Sequence, residues 1–203
     1  MKAVAATTRE GIIYAIASYG MTFFRLGIAF FIGVSFLVKA SDVKLIAVAG
    51  TLLIVGFDYY DGELFKKSFL INSKKWRVNR RILDSVIDRL VIHVICLSVL
   101  IVDSHFLPFY LPIILREVVL STYLSIKFKQ GLLIYPGPIA KLACAFVGFN
   151  GIAYLITSSL TTICFTVSMM CMSALAFREY FKLSKGYREG RIEATLNAGI
   201  EEI

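Results

Sequence analysis

The stretch ILDSVIDRLVIHVICLSVLIV, residues 82–102, decides the fold of this chain. Its 21 residues match the ~20 that an α-helix needs to cross the hydrocarbon core of a membrane. Two carboxylates, Asp84 and Asp88, stand near its start, and from Leu90 onward it carries no acidic or basic residue besides His93. The stretch therefore predicts a transmembrane helix whose first turns are acidic.

Similar apolar runs lie on both sides of this stretch, at 21–38, 43–60, 106–126, 140–158 and 159–180. The whole chain of 203 residues is 58% hydrophobic and only 18% charged, against ~45–50% and ~25% in soluble domains. This composition excludes a disordered chain, a collagen-like fibre and a disulfide-stapled miniprotein. We predict an all-α integral membrane protein: an N-terminal interfacial helix over 1–20, one six-helix transmembrane domain over 21–180 and a tail over 181–203.

The positive charges predict how the bundle is oriented. The net charge of +8 comes mostly from basic residues between the apolar runs and in the tail. The segment between the second and third runs alone carries Lys66, Lys67, Lys74, Lys75, Arg77, Arg80 and Arg81. By the positive-inside rule, both termini face the cytoplasm, as do the two basic loops, which are this segment and the one between the fourth and fifth runs. Lys39 and Lys44, however, lie in a predicted outer loop. Anionic lipid head groups, and not nucleic acid, are the expected partners of these charges.

Two aspartate pairs stand where hydrophobicity argues against them, at the adjoining ends of the second and third runs. Asp58 and Asp61 lie ~60° apart around a helix, and Asp84 and Asp88 lie ~40° apart. A helical hairpin can bring all four carboxylates to one depth, where they would repel one another unless a cation lay between them. Magnesium or manganese prefers such oxygen ligands. The alternative is that the aspartates only cap helix ends and pair with the basic loop.

These residues resemble a known family, the CDP-alcohol phosphotransferases. DYYDG (58–62) matches the first half of its D-x-x-D-G-x-x-A-R…G-x-x-x-D-x-x-x-D motif, and RILDSVIDR (81–89) resembles its end. Three further features resemble its phosphatidylglycerophosphate synthase branch: ILREVVLS (114–121), PIAK (138–141) and the position of Arg25. The resemblance covers roughly residues 21–160 and implies six spans with cytoplasmic termini.

The resemblance implies transfer of a phosphatidyl group from CDP-diacylglycerol to an alcohol with release of CMP, by a homodimer with its active site facing the cytoplasm. Metal ligands for two Mg²⁺ or Mn²⁺ ions would be Asp58, Asp61, Asp84 and Asp88, and Asp88 would also act as general base. Nucleotide contacts would come from Asp58, Asp61, Gly62 and Lys66. A phosphorylated acceptor, glycerol 3-phosphate in the branch that the chain resembles, would be bound by Arg116, Lys141, Arg25 and Arg89.

The chain also departs from the motif. Phe65-Lys66 replaces Ala-Arg, Arg80 replaces the second glycine, and the segment between Asp61 and Asp84 is longer by five residues. Lys66 keeps the charge of an arginine but loses the planar fork that grips a diphosphate. Arg80 adds bulk where a backbone would approach a ligand.

Other interpretations stay open at this point. The acceptor can be inositol phosphate, phosphatidylglycerol or another small alcohol. Since Arg116 and Glu117 are adjacent, they do not share a helix face, and each can instead pair with a neighbouring helix. The whole chain can also be a non-catalytic binding or assembly homologue of the family. A small cation transporter is the third possibility, although such proteins place carboxylates near mid-membrane and often contain inverted repeats.

Overall fold

The computed structural model describes residues 8–39, 41–134, 137–156, 159–190 and 200–202. Its elements are α1 (Thr8–Leu37), α2 (Val43–Lys67), α3 (Lys74–Val102), α4 (Leu107–Lys129), β1 (Leu132–Ile134), α5 (Pro138–Ile156), α6 (Ser159–Arg188) and β2 (Ile200–Glu202). Short 3-10 helices at Phe69–Asn72 and Ser104–Phe106 precede α3 and α4. The chain divides into two compact units: unit 1 is residues 1–103 and unit 2 is residues 104–203.

Five helices of the described chain are long and apolar enough to cross a membrane, as predicted. They are Arg9–Leu37, Val43–Lys67, Lys75–Val102, Ser104–Lys129 and Leu160–Arg188. The remaining predicted span corresponds to α5, whose apolar part, Leu142–Tyr154, is shorter. At ~1.5 Å per residue the 19 residues of α5 measure ~28 Å, close to the ~30 Å of a bilayer core. A sixth crossing and the cytoplasmic termini remain predictions.

The helix boundaries differ from the predicted ones. Helix α1 runs through residue 20 without a break, so the described part of the predicted interfacial helix is continuous with the first span. Helix α6 continues past residue 180 to Arg188, and β2 falls within the predicted tail, whose residues 191–199 lie outside the described chain. The helices cluster into the two units, and the single transmembrane domain over 21–180 stays a prediction.

In unit 1, α1 packs against both α2 and α3. Glycines allow the close approach: a methyl group on Gly50 would lie 2.6 Å from Ile32 Cδ1, and one on Gly33 would lie 2.5 Å from Ser98 Oγ. Small residues at helix contacts are typical of membrane proteins, where close van der Waals packing replaces the hydrophobic effect between helices.

Helix α1 buries polar side chains among apolar ones and exposes large apolar side chains. Ser18, Thr22 and Arg25 recur at helical spacing and are all buried. Large apolar side chains cover its other face, namely Phe23, Phe24, Phe30 and Phe31. An exposed face of large apolar side chains suits a helix whose surroundings are lipid.

In unit 2, α6 packs against α5 and α4. Asn150, fully buried on α5, lies 3.2 Å from Thr166 Oγ1 on α6 and 3.5 Å from the Phe109 carbonyl on α4. The carboxylate of Glu179 accepts a hydrogen bond from the Ala140 amide at the start of α5, where helix N-termini favour negative charge. Strands β1 and β2 pair antiparallel. Helix α5 is continuous through Asn150-Gly151.

Candidate functional site

Four carboxylates from α2 and α3 converge on one guanidinium from α1. Arg25 directs its Nη1 atom to Asp58 and to Asp88, whose Oδ1 lies 3.0 Å away. Its Nη2 atom lies 3.0 Å from Asp84 Oδ1 and 3.3 Å from Asp61 Oδ2. The predicted juxtaposition of the two aspartate pairs is confirmed. Arg25, which the resemblance assigns to the acceptor, lies between those pairs.

A second guanidinium, that of Arg80, reaches two of the same carboxylates. Its Nη2 lies 2.9 Å from Asp61 Oδ2 and 3.2 Å from Asp84 Oδ1. The rings of Tyr19 and Phe65 flank it, with centroids 5.1 Å and 5.8 Å from Cζ, at a distance where ring faces attract cations. The side chain that replaces the motif's second glycine is therefore part of the cluster.

Two hydroxyl groups on α1 join this cluster to α2. Thr22 Oγ1 accepts a hydrogen bond from Arg80 and lies 3.0 Å from Asp61 Oδ2. Ser18 Oγ donates to the backbone carbonyl of Asp61 at 3.0 Å. Asp61 is thus bound through its carboxylate and its backbone. We call these residues the Asp/Arg cluster: Ser18, Thr22, Arg25, Asp58, Asp61, Arg80, Asp84 and Asp88.

The four carboxylates differ in exposure. The inner pair, Asp61 and Asp84, has side chains that are 2% and 25% exposed. The outer pair, Asp58 and Asp88, has side chains that are 58% and 53% exposed. Both guanidiniums contact the inner pair, whereas Arg25 reaches out to the outer pair as well. The outer pair is therefore the part of the cluster that a ligand can reach.

The donor chemistry of the cluster fits a divalent cation, because four carboxylates supply the hard oxygen ligands that Mg²⁺ and Mn²⁺ prefer. Their placement is different. Among the residues that the structure describes, no three His, Cys, Asp or Glu side chains are arranged to hold one ion. The carboxylate oxygens instead face Arg25 and Arg80, which carry half as much formal charge as the four carboxylates.

The residues assigned to the nucleotide lie next to the cluster on α2. Lys66 is exposed and forms an ion pair with Glu63 one turn away, with 2.6 Å between Nζ and Oε1. Gly62 has open space on its side-chain face, since a methyl group there would meet no atom of another element within 4 Å. Arg89, assigned to the acceptor, follows Asp88 on α3 and is half-buried.

In unit 2 the predicted acceptor residue Arg116 is paired with its own neighbour. Its Nη1 binds Glu117, and both side chains are buried, although adjacent residues do not share a helix face. Nε donates to Ser173 Oγ at 3.0 Å, and Nη2 lies 3.4 Å from Cys144 Sγ. Lys141 begins α5, but its side chain lies outside what the structure describes.

An apolar cavity of about 330 Å³ lies beside Arg116 in unit 2. Side chains of α4 and α6 line it, including Leu115, Val119, Met170 and Phe177. Arg116 and Ser173 are thus the polar residues at the wall of a mostly apolar space.

Sequence reasoning missed three members of the cluster. Ser18 and Thr22 were given no role, although their spacing with Arg25 on an otherwise apolar helix indicates one buried polar face. Arg80 was noted as a basic residue of the loop and as a departure from the motif, but not as a partner of the aspartates. Its position four residues before Asp84 placed the two side chains on one helix face, and that spacing was the available signal.

Comparisons of the chain with protein-family models, with curated proteins and with solved structures find no match. The resemblance to CDP-alcohol phosphotransferases therefore rests on the quoted residues and motifs.

Proposed function

We propose that this membrane protein transfers a phosphatidyl group from CDP-diacylglycerol to an alcohol and releases CMP. The observation that carries the proposal is the convergence of Asp58, Asp61, Asp84 and Asp88 in one cluster. These are the four positions that match the family motif, and they come from two helices separated by the basic segment. Helices of membrane length around the cluster suit a lipid substrate.

Magnesium or manganese is the cofactor of the proposed reaction. The four carboxylates would hold it, and a bound divalent ion supplies charge neutralisation for a diphosphate as CMP leaves. The exposed outer pair offers oxygen ligands at the surface of the cluster.

Asp88 is the proposed general base, because it is among the most exposed carboxylates of the cluster. As the acceptor hydroxyl attacks phosphorus, a new oxygen–phosphorus bond forms and the bond to the CMP oxygen breaks. CMP leaves with the electron pair of that bond, and the hydroxyl proton passes to Asp88. Arg25 Nη1, 3.0 Å from Asp88 Oδ1, holds this carboxylate while no metal ion is bound.

The chain offers further groups for the two substrates. Open space over Gly62 leaves room for a nucleotide to approach the α2 backbone. Glycerol 3-phosphate is the proposed acceptor, on the likeness of residues 114–121 to the phosphatidylglycerophosphate synthase branch. A cytoplasmic active site and a homodimer are parts of the same proposal.

A second candidate function is favoured by one specific observation. Arg80 replaces the motif glycine and contacts both members of the inner pair, so the chain supplies its own cation to two of the proposed metal ligands. A homologue that has lost catalysis and serves in binding or assembly would gain stability from such a pairing, since the carboxylates would no longer need a metal.

The two candidates differ in CMP release. Purified protein in detergent would receive CDP-diacylglycerol, Mg²⁺ or Mn²⁺ and a panel of acceptors that includes glycerol 3-phosphate. We expect acceptor-dependent release that Asp88→Asn lowers by about 10²–10⁴-fold, as expected for loss of a general base. The matched control is Asp42→Asn, an exposed aspartate at the start of α2, which should leave the rate unchanged. Lipid binding without CMP release across the panel would favour the non-catalytic candidate.

A further inference from the structure

Arg25 occupies the space between the carboxylates that the proposed function assigns to a cation. Its side chain is 2% exposed, and its two terminal nitrogens contact all four aspartates. The oxygens it engages are one from each carboxylate: Oδ1 of Asp58, Asp84 and Asp88, and Oδ2 of Asp61. A divalent ion shared by the same carboxylates needs their oxygens at ~2.0–2.6 Å. The guanidinium and the ion therefore require the same position.

We propose that Arg25 is a resident counter-ion that competes with divalent cations for the carboxylates of the Asp/Arg cluster, so that the cofactor of the proposed reaction binds there only as Arg25 is displaced. The inference rests on the proposed function, because it concerns the cation of that same site. It predicts that the unaltered protein binds divalent cations weakly, and that affinity rises when the guanidinium is removed.

The surroundings indicate that the fold tolerates the loss of this one guanidinium. Arg80 contacts both inner carboxylates, Asp61 and Asp84, so they keep a cationic partner without Arg25. The outer carboxylates are more than half exposed, so water can solvate them. Arg80 is thus the structural partner of the buried pair, and Arg25 is the group whose place an ion can take.

The test measures Mn²⁺ binding directly, with no lipid substrate present. Purified full-length protein in detergent is dialysed against Mn²⁺, and bound and free ion are counted by electron paramagnetic resonance. We expect Arg25→Gln to bind Mn²⁺ at least tenfold more tightly than the unaltered protein. Arg116→Gln removes a buried guanidinium from unit 2 and is the matched control, which should bind like the unaltered protein. Adding Asp58→Asn and Asp88→Asn to Arg25→Gln should abolish the gain.

A second variant guards against misfolding of the first. Arg25→Lys keeps one positive charge, but a single ammonium cannot span four carboxylates as a guanidinium does, so it should bind Mn²⁺ with intermediate affinity. Mn²⁺ should also raise the unfolding temperature of Arg25→Gln more than that of the unaltered protein. Unchanged affinity in both Arg25 variants would overturn the inference. That result would not bear on the proposed reaction, which is tested by CMP release. Conversely, increased Mn²⁺ affinity in Arg25→Gln without CMP release by the unaltered protein would refute only the proposed reaction.

Discussion

The two units bury their charges in different ways. In unit 1 two guanidiniums and four carboxylates come from three helices, and the carboxylates outnumber the cations. In unit 2 Arg116 pairs with Glu117, the next residue along α4, and the pair is electrically balanced. A balanced local pair is sufficient to satisfy a buried charge. An unbalanced cluster built from distant residues costs more to assemble, which is why we place the function in unit 1.

Removal of Arg80 should have the largest effect on stability and tests whether the Asp/Arg cluster holds the helices of unit 1 together. Arg80→Leu should lower the free energy of unfolding by about 3–5 kcal/mol, because it leaves the buried carboxylate of Asp61 with Arg25 at 3.3 Å as its remaining guanidinium. The measurement is chemical or thermal unfolding in detergent, followed by circular dichroism. Arg80→Lys should lose less, since it keeps the charge.

The control for this variant is Lys185→Leu, which removes a lysine whose exposed ammonium lies 3.8 Å from Glu189 and should leave the unfolding temperature unchanged. Arg25→Gln should destabilise less than Arg80→Leu, because the carboxylates around Arg25 are more exposed or keep a second partner. An Arg80→Leu protein as stable as the unaltered one would mean that the cluster does not hold the helices of unit 1 together.

The local pair of unit 2 should respond more mildly. Arg116→Leu leaves a buried carboxylate short of a donor and should cost about 1–3 kcal/mol. Changing Glu117 to Leu as well should recover most of that loss, because a buried pair can often be replaced by apolar side chains at little cost. The comparison uses a double-mutant cycle on the unfolding free energies. A double variant that is less stable than Arg116→Leu would show that Glu117 has a second structural role.

Hydrophobic length and periodicity predicted much of the fold. The apolar stretch 82–102 lies within α3, and five of the six predicted spans correspond to described helices of membrane length. Helix ends were predicted less well, because charged residues close to a membrane surface continue a helix as readily as they end one. Lys66 and Lys67 are the last residues of α2, and α3 begins at Lys74, within the segment read as a basic loop.

The aspartates of the cluster could be predicted to lie together from the sequence, but the positions of its arginines could not. The spacing of Asp58 with Asp61, and of Asp84 with Asp88, was sufficient to predict that they meet. The location of Arg25 inside the cluster depends on how α1 packs against both other helices, and no spacing within α1 reports that. The sequence of α1 contains the spacing of Ser18, Thr22 and Arg25 that forms a polar face, but it does not indicate which helices that face contacts.

Two glycines on α2 allow effects on helix packing to be distinguished from effects on nucleotide binding. Gly50→Ala should destabilise by about 1–2 kcal/mol, because its new methyl group would lie 2.6 Å from Ile32 Cδ1. Gly62→Ala meets open space and should keep or raise stability, since alanine is the better helix former. If a nucleotide approaches the backbone there, Gly62→Ala should nevertheless reduce CMP release. Unfolding temperatures and CMP release are measured on the same preparations. Loss of stability in Gly62→Ala would contradict the open space that the structure shows over this residue.

The smallest effect on stability is expected at Lys66, where substrate binding can be separated from folding. Its ammonium is exposed and paired only one turn away, with Glu63, so Lys66→Met should leave the unfolding temperature unchanged. If Lys66 contacts the diphosphate of the nucleotide, Lys66→Met should raise the KM for CDP-diacylglycerol severalfold. Lys66→Arg should keep the KM of the unaltered protein or lower it, because a planar guanidinium binds a diphosphate better than an ammonium does. Lys185→Met is the matched control on an exposed pair of unit 2. Equal KM values in Lys66→Met and Lys185→Met would confine Lys66 to its pair with Glu63 and remove it from the nucleotide site.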